Sequence, residues 1–312
     1  MCPIVMRHAL LRWPALAILC TLAGPLAAHP QGPAGAPSGI APPAASREFP
    51  AAEPQAPSST PAPFPGAVTS YLGFDRHDFE VDGERFTVAV PRTPAPGRPW
   101  LWVAEFFGIA FWHPLDAELL ARGWHIAYNA SAAGQYGSPR GVARWGVAYD
   151  VWTRRFGLDA QPVLAGYSRG GLLVYNWAAA NPGKVRALYA DAPVCRIQSW
   201  PGGTGRGKGS PRDWRACLDA YGLTDEEGRA YAHNPVDQLG AIARAGIPVL
   251  HVVGDADDVV PVEENTAILA ARFEALGGRI NVIHKPGIGH HPHALPDPAP
   301  IVAFILGSSP GR

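Results

Sequence analysis

Residues 162–171 have the sequence Pro-Val-Leu-Ala-Gly-Tyr-Ser-Arg-Gly-Gly, and this stretch decides the fold that we predict for the chain. Its apolar part is typical of a buried strand, and a predicted helix over 169–180 follows the pattern Gly-x-Ser-x-Gly. A tight turn between a strand and a helix strains the backbone of Ser168 and raises its hydroxyl above the sheet. The N–H groups at the start of the helix favour negative charge that develops nearby. Because the pentapeptide is short, the elements around it must support this interpretation.

Strand and helix patterns alternate along the chain on both sides of this turn. A hairpin is predicted for residues 77–90, which contain Val-Asp-Gly-Glu between strand-forming segments. Further strands are predicted at 100–107, 124–130, 162–167, 185–191, 248–253 and 280–284, and helices at 138–156, 169–180, 263–276 and 299–306. This alternation predicts an α/β domain over 67–312, with a mostly parallel sheet and helices on both faces. Functional groups in such sheets collect at the carboxyl ends of the strands, so the residues that follow each predicted strand are the candidates for chemistry.

Acidic and imidazole side chains follow two of the later predicted strands. Residues 254–261, Gly-Asp-Ala-Asp-Asp-Val-Val-Pro, contain three aspartates, and residues 287–293, Gly-Ile-Gly-His-His-Pro-His, contain three histidines. A serine hydroxyl needs a neighbouring imidazole to accept its proton, and the imidazole needs a carboxylate to fix its tautomer. The order serine, aspartate, histidine meets this need. From the residues alone, each aspartate is a candidate acid, and the others are expected in helix capping or in a solvated turn.

Together these three motifs resemble those of the α/β-hydrolase superfamily, and the resemblance covers essentially all of residues 67–312. It implies an α/β-hydrolase fold with a short lid insertion and a catalytic triad whose nucleophile is Ser168. Asp257 occupies the acid position of the family pattern Gly-x-x-Asp-x-x-Val-Pro, and His290 follows the Gly-x-Gly that precedes the family's histidine. The resemblance therefore selects one aspartate and one histidine, and it leaves His291 and His293 as expected rim residues.

The resemblance also implies an oxyanion hole made of two backbone N–H groups. One belongs to Arg169 and the other to Phe107, with Phe106 as the second choice. The second donor differs from the family pattern, because residues 105–108, Glu-Phe-Phe-Gly, stand where many relatives have His-Gly. The segment Gly-Tyr-Ser-Arg-Gly is similar to the motif of glucuronoyl esterases, which implies that the Arg169 guanidinium stabilises an oxyanion or binds a substrate carboxylate. The alternative is a structural salt bridge that directs this side chain away.

Residues 195–236 interrupt the alternation, and we predict that they form the lid. Their glycine-rich part, residues 200–209, has two cations but lacks the Ser or Thr that follows the lysine of a phosphate-binding loop, which argues against nucleotide binding. Trp200 and Arg206 are predicted to contact a sugar-like or anionic substrate, and the alternative is a plain surface loop. Trp112 lies near another strand end and either lines a pocket or packs in the core.

The N-terminal 66 residues have the composition of a signal and a linker. Residues 1–28 combine a positive start, an apolar run and small closing residues, which is the order of a secretory signal peptide. The apolar run is short for a membrane span of about 20 residues, and the alternative is a retained N-terminal anchor. Residues 29–66 contain eleven of the 34 prolines and are predicted to be a disordered linker. We expect a secreted or periplasmic protein with no stable membrane span after cleavage.

Two cysteines, Cys195 and Cys217, follow the predicted signal. In an oxidising compartment such a pair predicts a disulfide. The bond would close a loop of about 22 residues and stabilise the fold by about 3 kcal/mol, because it restricts the unfolded chain. The alternative is two separate buried thiols.

The composition argues against some classes of function. The chain has 26 Lys and Arg against 26 Asp and Glu, so its net charge is zero and bulk attraction to nucleic acid is not expected. The close spacing in His-His-Pro-His argues against convergence on a metal ion, and we expect neither a metal nor a cofactor. We expect an exported serine hydrolase that cleaves a carboxylic ester of a small or carbohydrate-linked substrate. The alternatives are a peptidase or aminopeptidase of the same fold and a non-catalytic carbohydrate-binding protein.

Overall fold

The computed structural model describes residues 61–308, so the predicted signal peptide, residues 1–28, lies outside the described residues. The strands of the described part are β1 (Val68–Tyr71), β2 (Phe74–Val81), β3 (Glu84–Val90), β4 (Trp100–Ala104), β5 (His125–Asn129), β6 (Val163–Tyr167), β7 (Ala187–Asp191), β8 (Val249–Gly254) and β9 (Ile280–Lys285). Its α-helices are α1 (His113–Ala121), α2 (Pro139–Asp150), α3 (Gly170–Ala180), α4 (Pro211–Tyr221), α5 (Asp225–Arg229), α6 (Gly240–Arg244), α7 (Thr266–Ala275) and α8 (Ala299–Gly307). Within residues 61–308, every helix is too short or too polar to cross a membrane.

All the strands join one sheet in the order β1-β2-β3-β5-β4-β6-β7-β8-β9. The pairs β1/β2, β2/β3 and β3/β5 are antiparallel, and the five pairs from β5/β4 to β8/β9 are parallel. This confirms the predicted mostly parallel sheet. The predicted hairpin is β2/β3, and both Asp82 and Gly83 in its turn have left-handed backbones, as a two-residue hairpin turn of this type requires.

Helices cover both faces of the sheet, as predicted. Successive residues of β4 point to opposite faces, because side chains alternate along a strand. Trp100 and Trp102 pack with residues of α2, α3, α6 and α7, whereas Leu101 and Val103 pack with α1 and α8. A strand that is apolar at every position is therefore buried on both sides, which explains the continuous apolar run of its sequence.

Tryptophans fill the core on the α2/α3 face. The ring of Trp102 stacks on Trp145 of α2 with centroids 4.0 Å apart, and it meets Trp177 of α3 edge-on at 5.2 Å. Trp152 is also fully buried, in the single wider turn of π-helical form over Val151–Arg155 that continues α2. These rings fix the position of α3, the helix that begins just after Ser168.

The last residues of the predicted linker, 61–66, lie against the domain. The N–H of Ala62 donates to the carbonyl of Arg155, and the ring of Phe64 lies 4.9 Å from that of Phe156. This contact forms because the ring of Phe64 packs against the main apolar cluster of the core. The rest of the predicted linker, residues 29–60, lies outside the described residues.

The predicted disulfide is not formed, and Cys195 and Cys217 are free thiols. Cys195 lies in the main core with residues of α3, whereas Cys217 lies on α4 in a separate apolar cluster with Trp214. Burial raises the pKa of both thiols, to about 12 for Cys217. Each cysteine therefore behaves as a small apolar side chain in its own cluster, and the even number of cysteines did not indicate a pair.

Between β7 and β8 the chain leaves the sheet over residues 192–248. This excursion contains α4, α5 and α6 and includes the lid predicted at 195–236. Ser210 caps α4, and Thr224 and Glu227 form a reciprocal capping pair at α5. The predicted lid is thus built from short, individually capped helices.

Candidate active site

Ser168 occupies a strained turn between β6 and α3. Its φ angle is 50°, a left-handed value that costs a non-glycine residue energy unless its neighbours hold it. The N–H of Ser168 donates to the carbonyl of Asp191 at 2.9 Å, and its own carbonyl accepts from Gly171 and Val194. These bonds hold the backbone, so the hydroxyl stands at the carboxyl end of the sheet as the sequence predicts.

The glycines of the motif allow close contact between strand and helix. A methyl group on Gly166 would lie 2.6 Å from Cγ2 of Val174, and one on Gly170 would collide with the carbonyl of Ala104. Both positions are therefore closed to larger side chains, because α3 packs directly on β6 and on the end of β4. This contact brings the loop after β4 next to Ser168.

The structure brings Ser168, His290 and Asp257 together. The Ser168 hydroxyl lies 3.0 Å from Nε2 of His290, and Nδ1 of His290 lies 2.8 Å from Oδ2 of Asp257. Asp257 accepts two further hydrogen bonds, at Oδ1, from the N–H groups of Val259 and Val260. Because Asp257 offers only acceptors, Nδ1 carries the imidazole proton and Nε2 is free to accept from the serine.

The other two aspartates of the loop after β8 point elsewhere. Asp255 binds His284 at the surface, and Asp258 binds Lys208, so neither contacts His290. The choice of Asp257 among the three therefore agrees with the geometry.

A second pair of histidine and aspartate lies beside the first. His293, expected at the rim, is buried, and its Nδ1 lies 2.7 Å from Oδ1 of Asp191, whose side chain has no exposed surface. The ring centroids of His293 and His290 are 4.7 Å apart. The sequence analysis did not predict this pair, although Asp191 ends a predicted strand, and functional groups collect at such positions.

His291 is largely exposed. Its remaining burial and the neighbouring His293 and His290 lower its pKa below the usual value. One nitrogen of each of the three imidazoles lies within 4.8 Å of the others. The histidines thus converge more closely than their spacing suggested. A metal ion bound there would compete with Ser168 for Nε2 of His290.

A cavity of about 190 Å³ opens beside Ser168. Its walls are mainly aromatic and aliphatic, and it is lined by Phe106, Ile109, Phe111, Trp112, Tyr167, Ser168, His290, His291 and His293. It is smaller than the roughly 300–1,000 Å³ of sites for drug-sized ligands, so it fits a small substrate group. A larger depression of about 830 Å³ lies at the amino ends of the strands, near Gln161 and Arg279, and contains none of the predicted catalytic residues.

The loop after β4 supplies the second side of the site. Glu105 and Phe106 both have left-handed backbones, and the N–H groups of Phe106, Phe107 and Arg169 have no acceptor among the described residues. The side chain of Phe106 lines the cavity, whereas the ring of Phe107 stacks on Tyr128 at 5.6 Å. Both residues therefore carry an N–H that is free to donate at this loop, and Phe107 as the partner of the Arg169 N–H, with Phe106 as the second choice, stays a prediction.

The side chain of Arg169 forms ion pairs rather than lining the cavity. Its Nε and Nη2 both lie 3.1 Å from Oε2 of Glu105, and Nη1 lies 3.6 Å from Asp213. The guanidinium also lies over the ring of Phe106 at 4.9 Å, and Glu105 accepts the N–H of Gly134. This is the salt-bridge alternative, and it ties the loop after β4 to the start of α3.

Of the predicted substrate-binding residues, Trp200 and Arg206 do not line this cavity. Arg206 is exposed and donates its N–H to Glu264, and the ring of Trp200 stacks near Tyr136 at 6.3 Å. Trp112 does line the cavity and stacks on Tyr167. The tryptophan at the cavity is therefore Trp112, from the segment before α1, and not Trp200, which was predicted to contact the substrate from the lid.

No family model and no curated protein matches the chain, but solved structures do. A puromycin-hydrolysing peptidase of Mycobacterium tuberculosis is 16% identical with a TM-score of 0.56, over 70% of this chain and 36% of the peptidase. Dipeptidyl peptidase 4 of Porphyromonas gingivalis is 14% identical with a TM-score of 0.56, over 75% and 35%. A membrane phospholipase A, a bacterial virulence factor, is 17% identical with a TM-score of 0.50, over 76% and 87%. The chain spans about a third of each peptidase, and at these identities the likeness concerns the fold.

Proposed function

The chain has the fold of the α/β-hydrolase superfamily, and on this premise we propose that it is a serine hydrolase of small carboxylic esters. The observation that carries the proposal is the hydrogen-bonded series of Ser168, His290 and Asp257. This series ends in a small cavity with apolar walls. A serine at this turn attacks carbonyl carbon through its hydroxyl, which suits acyl transfer.

The reaction would proceed in two halves. Oγ of Ser168 attacks the ester carbonyl while Nε2 of His290 accepts the serine proton, and Asp257 stabilises the imidazolium that forms. The negative oxygen accepts hydrogen bonds from the N–H groups of Arg169 and Phe107, with Phe106 as the second choice for the latter. His290 then gives the proton to the departing alcohol as the carbon–oxygen bond breaks. Water attacks the acyl-serine by the same route and releases the carboxylic acid.

A peptidase is the second candidate, because two of the similar structures are peptidases. An aminopeptidase needs an acidic group that binds the substrate's amino terminus. Among the described residues that line the cavity there is no carboxylate. We therefore favour esters over aminoacyl amides.

The test compares Ser168→Ala with wild-type protein on p-nitrophenyl acetate. We expect kcat/KM to fall at least about 10³-fold, because the variant has no nucleophile. Ser70→Ala is the matched control, since Ser70 lies exposed on β1, and it should retain full activity. A fluorophosphonate probe should label the wild type and Ser70→Ala but not Ser168→Ala.

The same assay with longer p-nitrophenyl esters should show falling kcat/KM from acetate to octanoate, because the cavity is small. Alanine p-nitroanilide is the amide comparison. Full activity of Ser168→Ala would reject the proposal, and hydrolysis of the anilide without hydrolysis of the esters would favour the peptidase.

A further inference from the structure

The second pair of histidine and aspartate has no part in the reaction described above. We propose that His293, held by Asp191, accepts a hydrogen bond from a hydroxyl on the alcohol part of the substrate, next to the ester oxygen. This inference rests on the proposed function and names its substrate class: partly acylated polyols and sugars in which a free hydroxyl neighbours the ester.

The hydrogen bonds around Asp191 determine which nitrogen of His293 carries the proton. Oδ1 of Asp191 lies 2.7 Å from Nδ1 of His293, and Oδ2 accepts from the N–H of Ala294 at 2.9 Å and from the hydroxyl of Tyr189 at 3.2 Å. A carboxylate can only accept in this arrangement, so the proton is on Nδ1. The lone pair is therefore on Nε2, which acts as an acceptor.

That lone pair has no protein partner in residues 61–308, although His293 is only 8% exposed. Since Nδ1 faces Asp191, the opposite edge of the ring, with Nε2, faces the cavity that His293 lines. A ring nitrogen that opens to the cavity and has no protein donor can accept a hydrogen bond there, so a substrate hydroxyl that reaches it gains an interaction.

The direction of the reaction places the substrate's alcohol next to this nitrogen. The departing oxygen must lie within hydrogen-bonding reach of Nε2 of His290, because His290 protonates it. The carbonyl oxygen lies on the other side, toward the N–H groups of Arg169 and of the loop after β4. His290 and His293 are neighbours, with ring centroids 4.7 Å apart, so the groups beside the departing oxygen are those that His293 meets. Trp112, 5.5 Å from His293, offers an apolar surface for the carbon skeleton.

Three acetates that differ in one group test the inference with the full-length chain: 2-hydroxyethyl acetate, 2-methoxyethyl acetate and ethyl acetate. The hydroxyl of the first can donate, the ether of the second can only accept, and the third has neither group. For wild-type protein we expect kcat/KM to be about 5- to 10-fold higher for 2-hydroxyethyl acetate than for 2-methoxyethyl acetate, the effect of one ordinary hydrogen bond.

His293→Asn removes Nε2 but keeps an N–H that can donate to Asp191, so the buried carboxylate stays paired. We expect the ratio between hydroxyethyl and methoxyethyl acetate to fall to about 1. His284→Asn is the matched control, because His284 also has its Nδ1 on an aspartate, Asp255, but lies exposed and outside the cavity, and it should keep the wild-type ratio. Circular dichroism checks that each variant is folded.

Asp191→Asn separates hydrogen bonding from mere structural support. The amide oxygen can keep the bond to Ala294, and its NH₂ group then faces Nδ1 of His293 and forces the proton onto Nε2. Nε2 becomes a donor, so kcat/KM for 2-methoxyethyl acetate should rise about 5-fold relative to ethyl acetate.

The possible failures can be told apart. Hydrolysis that depends on Ser168 but shows no preference for the hydroxyl overturns this inference alone. A preference that persists in His293→Asn also overturns it. If no ester is hydrolysed, or if Ser168→Ala retains activity, the proposed function fails and the inference with it.

Discussion

The two histidine–carboxylate pairs of the site have nearly the same construction. In both, Nδ1 of a buried imidazole donates to an aspartate that follows or ends a parallel strand, at 2.8 Å for His290 and 2.7 Å for His293. Both aspartates are also held by backbone N–H groups, of Val259 and Val260 in one pair and of Ala294 in the other. The pairs differ in what the second nitrogen meets.

Nε2 of His290 meets the hydroxyl of Ser168, whereas Nε2 of His293 opens to the cavity. A third buried histidine, His251, has both nitrogens on protein hydroxyls, those of Tyr175 and Thr266. Burial lowers its pKa to about 3, so it stays neutral in the core. A carboxylate thus fixes the tautomer of an imidazole, and the partner of the remaining nitrogen decides whether the ring serves in proton transfer, substrate binding or packing.

Removing one imidazole at a time tests whether the two pairs have different roles. His290→Ala should lower kcat/KM for p-nitrophenyl acetate by about 10⁴-fold or more, because no other side chain within residues 61–308 forms a hydrogen bond that could accept the Ser168 proton. His293→Asn should lower it tenfold or less, since this substrate's alcohol has no hydroxyl. Steady-state kinetics of both variants measure the difference, and equal losses would show that the two histidines act as one unit.

The carboxylates give the next largest effect. Asp257→Asn should lower kcat by about 10³-fold, because its amide would hold His290 in the wrong tautomer. Asp255→Asn is the control, as Asp255 binds only the surface residue His284, and its kcat should stay within about twofold of the wild type. A loss centred on Asp255 would contradict the assignment of the acid.

A third buried carboxylate, Asp116, differs from Asp257 and Asp191 because its partner is a tyrosine hydroxyl and not an imidazole. It accepts from Tyr71 at 2.6 Å, and burial raises its pKa from 3.8 to about 7. The folded state therefore binds a proton that the unfolded state releases between these two values. This contribution to stability is complete below pH 3.8 and is lost as the pH rises to about 7.

Asp116→Asn cannot ionise, so the variant escapes this loss. Relative to wild type, its free energy of unfolding should be about 3 kcal/mol larger at pH 8 than at pH 5, because only the wild type is destabilised over this range. Urea titrations of both proteins at the two pH values measure the change. An equal difference between wild type and variant at both pH values would show that Asp116 ionises normally in the fold.

The main features of the sheet and of the Ser168 turn could be predicted from sequence, because they depend on local signals. Apolar runs, the glycines around Ser168 and the spacing Gly-x-x-Asp-x-x-Val-Pro each act over a few residues. The pair of His293 and Asp191 could not, since it joins residues 102 positions apart and no local pattern marks it.

The state of the cysteines could not be predicted for a similar reason. An even number of thiols does not reveal that Cys195 and Cys217 pack in different clusters. The choice between Phe106 and Phe107 depends on which backbone N–H faces the carbonyl oxygen of the substrate, and adjacent residues of the same type give no sequence signal for it.

Asp191 holds its neighbours through two different groups. Its carbonyl holds the N–H of Ser168, whereas its carboxylate holds His293 and Ala294. A library of variants at this single position would therefore alter selectivity for the departing alcohol while the main-chain anchor of the nucleophile stays in place.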